Sequence, residues 1–157
     1  FFFNTTPPAD TFRIAASLVE LGCNSAYINK VMFETKSKEK IMLEREVYDT
    51  ITYCADGKCA IVWVTLDMLK SLNIGEDEIE GLASIPRQIE GVLIGITMKE
   101  KEGGFFKISV RTNGNIDAAK FCSRFGGGGH KAAAGCSVNG SLEDVRSQLI
   151  KAAEETL

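Results

Sequence analysis

The sequence predicts an α/β fold, a mixed β-sheet flanked by helices, on three observations. Ala60 to Leu66 is an unbroken apolar run rich in β-branched residues, the pattern of a short buried strand. Gly91 to Met98 and Phe105 to Arg111 are two more strand-like stretches, joined by Lys101-Glu102-Gly103-Gly104, the composition of a hairpin turn. Helical patterns lie around them. The clearest is Leu142, Val145, Leu149 and Ala152 behind Ser141, a good helix-capping residue.

The remaining elements follow in chain order. Asn4-Thr5-Thr6-Pro7-Pro8 reads as a turn, and Asp10 as the N-cap of a helix carrying Phe12, Ala15, Ala16, Leu18 and Val19 up to Gly22. A short helix is expected from Ser25 to Phe33. Ser37 opens a charged helix running to about Tyr53, in which Ile41, Leu43, Val47 and Ile51 are scattered among Lys, Glu and Arg. That mixture suits a connecting helix. Asp56-Gly57 is a turn. Met68 to Leu72 is a helical turn, and Glu76 to Ser84 a helix ended by Pro86. Asn113-Gly114-Asn115 turns the chain into a helix from Ile116 to Phe125, and a short strand is expected near Cys136 to Val138.

The bulk properties narrow the function. At 157 residues the chain can bury a real core, and 45 % apolar with 25 % charged residues is an ordinary globular profile. A formal charge of -3 argues against a broad electrostatic grip on duplex nucleic acid but leaves room for a small basic pocket. The five cysteines are scattered, without a C-x-x-C pair, which suits reduced thiols in a cytoplasmic protein. No stretch is apolar enough to span a membrane. Phe1-Phe2-Phe3 lacks an initiator Met, so the chain is expected to be a fragment.

Chemistry concentrates in Phe125-Gly126-Gly127-Gly128-Gly129-His130-Lys131-Ala132-Ala133-Ala134-Gly135. Glycines without a Cβ let backbone amides approach a ligand closely. His130, the sole His of the chain, and Lys131 follow with a proton donor and a positive charge. An anion, a phosphate above all, suits such a place. Arg111 ends a strand next to a loop and can hold phosphate through two parallel bonds; Arg87, after Pro86, suits an ion pair with a nearby Glu. The seven Asp residues are dispersed, with no D-x-D, no H-x-x-E-H and no readable Ser-His-Asp set. The residues describe a phosphate cradle without a hydrolytic centre.

Gly126-Gly127-Gly128-Gly129-His130 with Ala133-Ala134-Gly135 resembles the signature of the C-terminal, DHH-associated domain of the DHH phosphoesterases. The nearest subgroup is the bacterial oligoribonuclease and pAp phosphatase type. Phe2-Phe3-Asn4-Thr5-Thr6-Pro7 is similar to the segment after the last metal-binding Asp of the catalytic domain. Ile89-Glu90-Gly91-Val92 and Lys107-Ile108-Ser109-Val110-Arg111 are similar to the strand pair of the associated domain.

The resemblance implies three parts: residues 1–36 as a short helical remnant of the DHH domain, 37–57 as a connecting helix, and 58–157 as the DHH-associated, substrate-binding domain. It implies binding roles for Gly126, Gly127, Gly128, Gly129, His130 and Arg111, with Thr112 and Asn113 as lesser candidates. The expected substrates are short RNA oligonucleotides or pAp, hydrolysed with Mn2+ or another divalent metal held by an upstream DHH domain. No metal site and no catalytic residue fall on this chain, which alone is expected to be inactive. A homodimer is a further expectation, and the strand Ala60 to Leu66 could be shared in it. The rival readings are a tRNA-binding module like the C-terminal part of alanyl-tRNA synthetase, a RecJ-like single-strand exonuclease, and an exopolyphosphatase.

Overall fold

The computed structural model describes residues 8–75, 79 and 81–157, and the chain divides into two compact units, Phe1–Ser37 and Lys38–Leu157. In the first unit, α1 (Ala9–Glu20) is followed by α2 (Ser25–Asn29), which runs into one π-helical turn, Lys30–Glu34. Gly22, at φ +91°, ends α1 as its composition predicts. The Gly22 amide donates to Val19 and the Cys23 amide to Leu18, the paired bonds of a Schellman stop. Asp10 is not the N-cap. Pro8 holds that position, and Asp10 sits inside the first turn, paired with Arg13 at 2.5 Å. The residues expected to form a turn before Pro8 lie outside the described part.

The second unit is built on one six-stranded sheet in the order β1-β2-β3-β4-β6-β5. Its strands are β1 (Thr52–Cys54), β2 (Cys59–Val64), β3 (Ile94–Lys101), β4 (Phe105–Thr112), β5 (Gly128–His130) and β6 (Ala133–Asn139). Only β2 and β3 pair in parallel, so the sheet is mixed. β2 has both neighbours within its own chain and is not a shared strand here.

The period of two along β4 sorts the sheet into two faces. Phe106, Ile108, Val110 and Thr112 point to one face and are buried. There they meet α5 (Ala118–Ser123) and α6 (Leu142–Glu154) in a core that includes Ile96, Met98, Phe121, Val145 and Leu149. The opposite face is covered only over β2 and its surroundings. Leu43 and Val47 of α3 (Lys38–Asp49), Leu69 of α4 (Leu66–Ser71), and Leu82 and Ile85 pack there on Val62 and Val64. α3 is therefore part of this unit's packing, with Leu43 and Val47 wholly buried, and not a bare connector. Over β4, β6 and β5 the second face carries Lys107 and Ser137, both exposed, and half-buried Ser109 and Arg111.

Several expectations change. The charged helix stops at Asp49 instead of Tyr53, because Thr50 turns the chain. Its hydroxyl donates to the Val47 carbonyl at 2.7 Å and accepts the Trp63 amide at 3.1 Å, leaving Thr52–Cys54 to form β1. Of the helix expected from Glu76 to Ser84, residues 76–78 and 80 lie outside the described part. Leu82–Ser84 is a single 3-10 turn, preceded by Gly81 at φ +89°, which breaks helical continuation. A second such turn, Pro86–Gln88, follows. α5 starts two residues later than predicted because Asp117 caps it, accepting the Lys120 amide at 3.0 Å. The end of the glycine run, expected as loop, forms β5.

Candidate functional site

The strand register places the sequence-predicted residues. His130 pairs with Ala133, Ala133 with Arg111, and Arg111 with Gly95. Residues paired across antiparallel strands point to the same side, so all four stand in one row on the partly open face. At about 4.8 Å between strands, the His130 and Arg111 α-carbons lie about 10 Å apart with only the Ala133 methyl between them. The next row holds Gly128, Gly135, Ser109 and Thr97. Small residues thus floor the space between the imidazole and the guanidinium. A hollow of about 480 Å³ adjoins them, lined by Lys107, Ser109, Phe125, Gly126, Gly128 and Ser137 among others.

Arg111 is half-buried; its Nη1 donates to the Val110 carbonyl at 3.1 Å. Among the described residues no carboxylate pairs with it. His130 and Lys131 are exposed. A guanidinium with no carboxylate partner among the described residues, sharing its row with an exposed imidazole, is an arrangement that can receive an anion.

The four glycines do different work. Gly126 adopts φ +70°, a conformation that strains other residues. A Cβ on Gly127 would collide with the Gly135 carbonyl and the Cys136 side chain, and one on Gly129 would stand 2.6 Å from the Ala134 α-carbon. These two glycines let β5 lie close against β6. Gly128 has open space where a Cβ would go. Nor are all the amides bare, as the sequence suggested: Gly126 donates to Ser123 and Gly127 to Cys122. The donors left for a ligand are those on the outer edge of β5, the last strand of the sheet.

Thr112 and Asn113 are engaged inside the fold. The Thr112 hydroxyl lies 3.0 Å from the Ile116 carbonyl and 3.1 Å from that of Lys131. The Asn113 amide donates to the Val92 carbonyl at 2.9 Å. With the Ala118 amide, which donates to Lys131 at 2.8 Å, Thr112 fixes the two-residue link between β5 and β6. Lys131 and Ala132 avoid the positive φ angles that two-residue hairpins favour, so these outside bonds hold the turn. Arg87 contributes its backbone: Pro86–Gln88 rests on Gly95, next to Arg111 in the His130 row. Ser109 and Lys107, which share the open face, were missed. Alternation along Phe105 to Arg111 was the signal that could have found them. Among the described residues no three His, Cys, Asp or Glu side chains gather as a metal site.

The family model described as the DHHA1 domain matches residues 56–157. Over 99 % of its length the chain is 28 % identical to the bifunctional oligoribonuclease and PAP phosphatase NrnA of Thermus thermophilus, covering 46 % of that protein. An exopolyphosphatase-related protein from Bacteroides fragilis superposes with a TM-score of 0.85 at 22 % identity, over 98 % of this chain and 46 % of the other. A pGpG-specific phosphodiesterase, PggH, from Vibrio cholerae superposes with a TM-score of 0.56 at 14 % identity, over 99 % of this chain and 54 % of its own. The chain thus spans about half the length of the relatives it matches. By the match over its second unit, with the glycine–histidine strand at the edge of a mixed sheet, the chain belongs to the DHHA1 domain family.

Proposed function

We propose that this chain is the substrate-binding part of a metal-dependent phosphoesterase that hydrolyses short oligoribonucleotides, pAp or both. The observation that carries this reading is the row His130–Ala133–Arg111: an imidazole and a guanidinium on an open sheet face, over a floor too small to obstruct a phosphate. Arg111 holds and neutralises the phosphate, His130 donates to a second oxygen, and the outer amides of β5 complete the cradle. The names of the relatives, an oligoribonuclease and PAP phosphatase and a pGpG phosphodiesterase, support a small nucleotide in that cradle.

Among the described residues no side chains gather that fit a two-metal centre; in this reading an upstream DHH domain of the whole protein holds Mn2+ or another divalent ion. When bound there, the ion supplies an activated water. Residues 1–36 fit the tail of that metal-binding domain. Within their unit α1 and α2 bury no residue and present Phe12, Ile14, Leu18, Val19 and Tyr27, an apolar set suited to packing in a larger core.

Calorimetric titration with pAp, a 5′-phosphorylated diribonucleotide and inorganic polyphosphate tests the reading. Saturable nucleotide binding, weakened about ten- to a hundredfold by Arg111→Ala and by His130→Ala, is expected from the loss of a charge-assisted bond. Tight polyphosphate binding with no nucleotide binding would overturn the substrate assignment. Nucleotide binding unchanged in both variants would remove the row from the site.

A further inference from the structure

We propose that Cys54 and Cys59 form a reversible dithiol–disulfide site, in which Cys54 meets the oxidant and Cys59 resolves the first product. The two residues are direct partners across the antiparallel β1–β2 ladder. Such partners hold their α-carbons about 4.5–5.5 Å apart with both side chains on one face, inside the span a disulfide bridges. The turn between them is tight, with Ala55, Asp56 and Gly57 all at positive φ (50°, 53° and 79°), and it fixes the pair before any bond forms.

The environments of the two thiols differ. Cys54 is half-exposed, near the hairpin tip and a hollow of about 310 Å³ lined by Ala55, Asp56, Lys58, Glu154 and Leu157. Cys59 is wholly buried. The Cys59 thiol hydrogen-bonds to the Cys54 sulfur, which favours the Cys54 thiolate against the opposing effects of partial burial and of Glu154. An accessible thiol of lowered pKa beside a resolving thiol is the constellation of a redox-responsive cysteine. Cys122 and Cys136 also share a hydrogen bond but offer no such entry, since both are buried.

The oxidant is a low-molecular-weight disulfide, for which glutathione disulfide serves as the probe. The Cys54 thiolate attacks one glutathione sulfur. A Cys54–glutathione bond forms, the glutathione S–S bond breaks, and one glutathione leaves as thiolate and takes up a proton. Cys59 then gives up its proton and attacks the Cys54 sulfur, releasing the second glutathione, which is protonated in turn. Two protein thiols have lost two electrons and two protons, and one glutathione disulfide has become two glutathiones.

The test treats the reduced chain with glutathione disulfide at neutral pH, followed by alkylation, trypsin and mass spectrometry. Cleavage after Lys58 separates the two cysteines, so a linked pair of peptides, residues 46–58 and 59–70, reports the bond. We expect that pair as the main oxidised product, reversed by dithiothreitol. Cys59→Ser should stop at a glutathione adduct on Cys54, and Cys54→Ser should leave Cys59 unmodified. A persistent adduct on Cys54 in the unsubstituted chain, a Cys122–Cys136 link formed first, or no reaction at Cys54 would each overturn the proposal. If a buried Ser at 59 impairs folding, the products of the unsubstituted chain are decisive without the variant.

Discussion

The main-chain nitrogen of Arg87 lies 2.8 Å from where a Cβ on Gly95 would stand. The turn that carries Arg87 therefore rests on the sheet with no room for a methyl group. Because Gly95 pairs with Arg111 in the row that begins at His130, this contact also covers the sheet face on one side of the candidate site. Gly95→Ala must push the Pro86–Gln88 turn away from β3. The expected cost is about 1–3 kcal/mol, the usual penalty of overpacking, read as a lower urea midpoint. A midpoint equal to that of the unsubstituted chain would show that the turn yields without strain.

Gly127 and Gly128 should separate fold from ligand. Gly127→Ala drives a methyl group into the Gly135 carbonyl and is expected to destabilise by about 2–3 kcal/mol. Gly128→Val meets open space and should change stability by no more than about 0.5 kcal/mol. If the outer edge of β5 receives a phosphate, the same valine should still weaken nucleotide binding. Paired urea melts and titrations decide both halves; strong destabilisation by Gly128→Val would contradict the open geometry.

Thr112 is expected to act through the turn rather than through a ligand. Thr112→Val keeps the shape but deprives the Ile116 and Lys131 carbonyls of their shared hydroxyl donor, at a cost of about 1–2 kcal/mol. Amide exchange should quicken around residues 130–133 in particular. Uniform exchange changes across the domain would argue against a local role.

Alkaline pH should loosen the second unit. The Cys122 thiol hydrogen-bonds to Cys136 and is buried, and both effects raise its pKa above the ordinary thiol value, while the same bond lowers that of Cys136 and offsets part of the effect. Cys59 is raised for the same two reasons. A group raised in the folded state gives stability that is complete below its unfolded pKa, about 8.5 for a thiol, and is lost as pH climbs above it. Urea midpoints should therefore fall between about pH 8.5 and 10.5, and Cys122→Ser should flatten part of that slope. A slope unaltered by the substitution would assign the alkaline loss to other groups.

The sequence made the middle of the sheet legible and its edges hard to see. Ala60 to Leu66 and the stretches around the Gly103-Gly104 turn carry strong local signals, and β2 and β4 lie within two residues of them, while β3 runs three residues later than expected, from Ile94 to Lys101. β1 was hidden because Thr50 ends a helix through its own hydroxyl, a competition that an apolar count does not register. β5 was hidden because three residues of Gly and His have no strand propensity, and only β6 beside them makes a strand of them. For the site, residue type pointed to His130 and Arg111, while the register supplied their adjacency. The pairing of Cys54 with Cys59 was hidden together with β1, although the two stand at equal distances from Asp56-Gly57.

Both edges of the sheet are three residues long, β1 at one side and β5 at the other. A long bare edge invites another chain to add a strand, the route to uncontrolled aggregation. Here the glycines of β5 make that edge a poor template, since they bring little strand propensity and no side chains to interlock with a visitor. The edge strand that ends at His130 can thus stay uncovered while offering little purchase to another polypeptide.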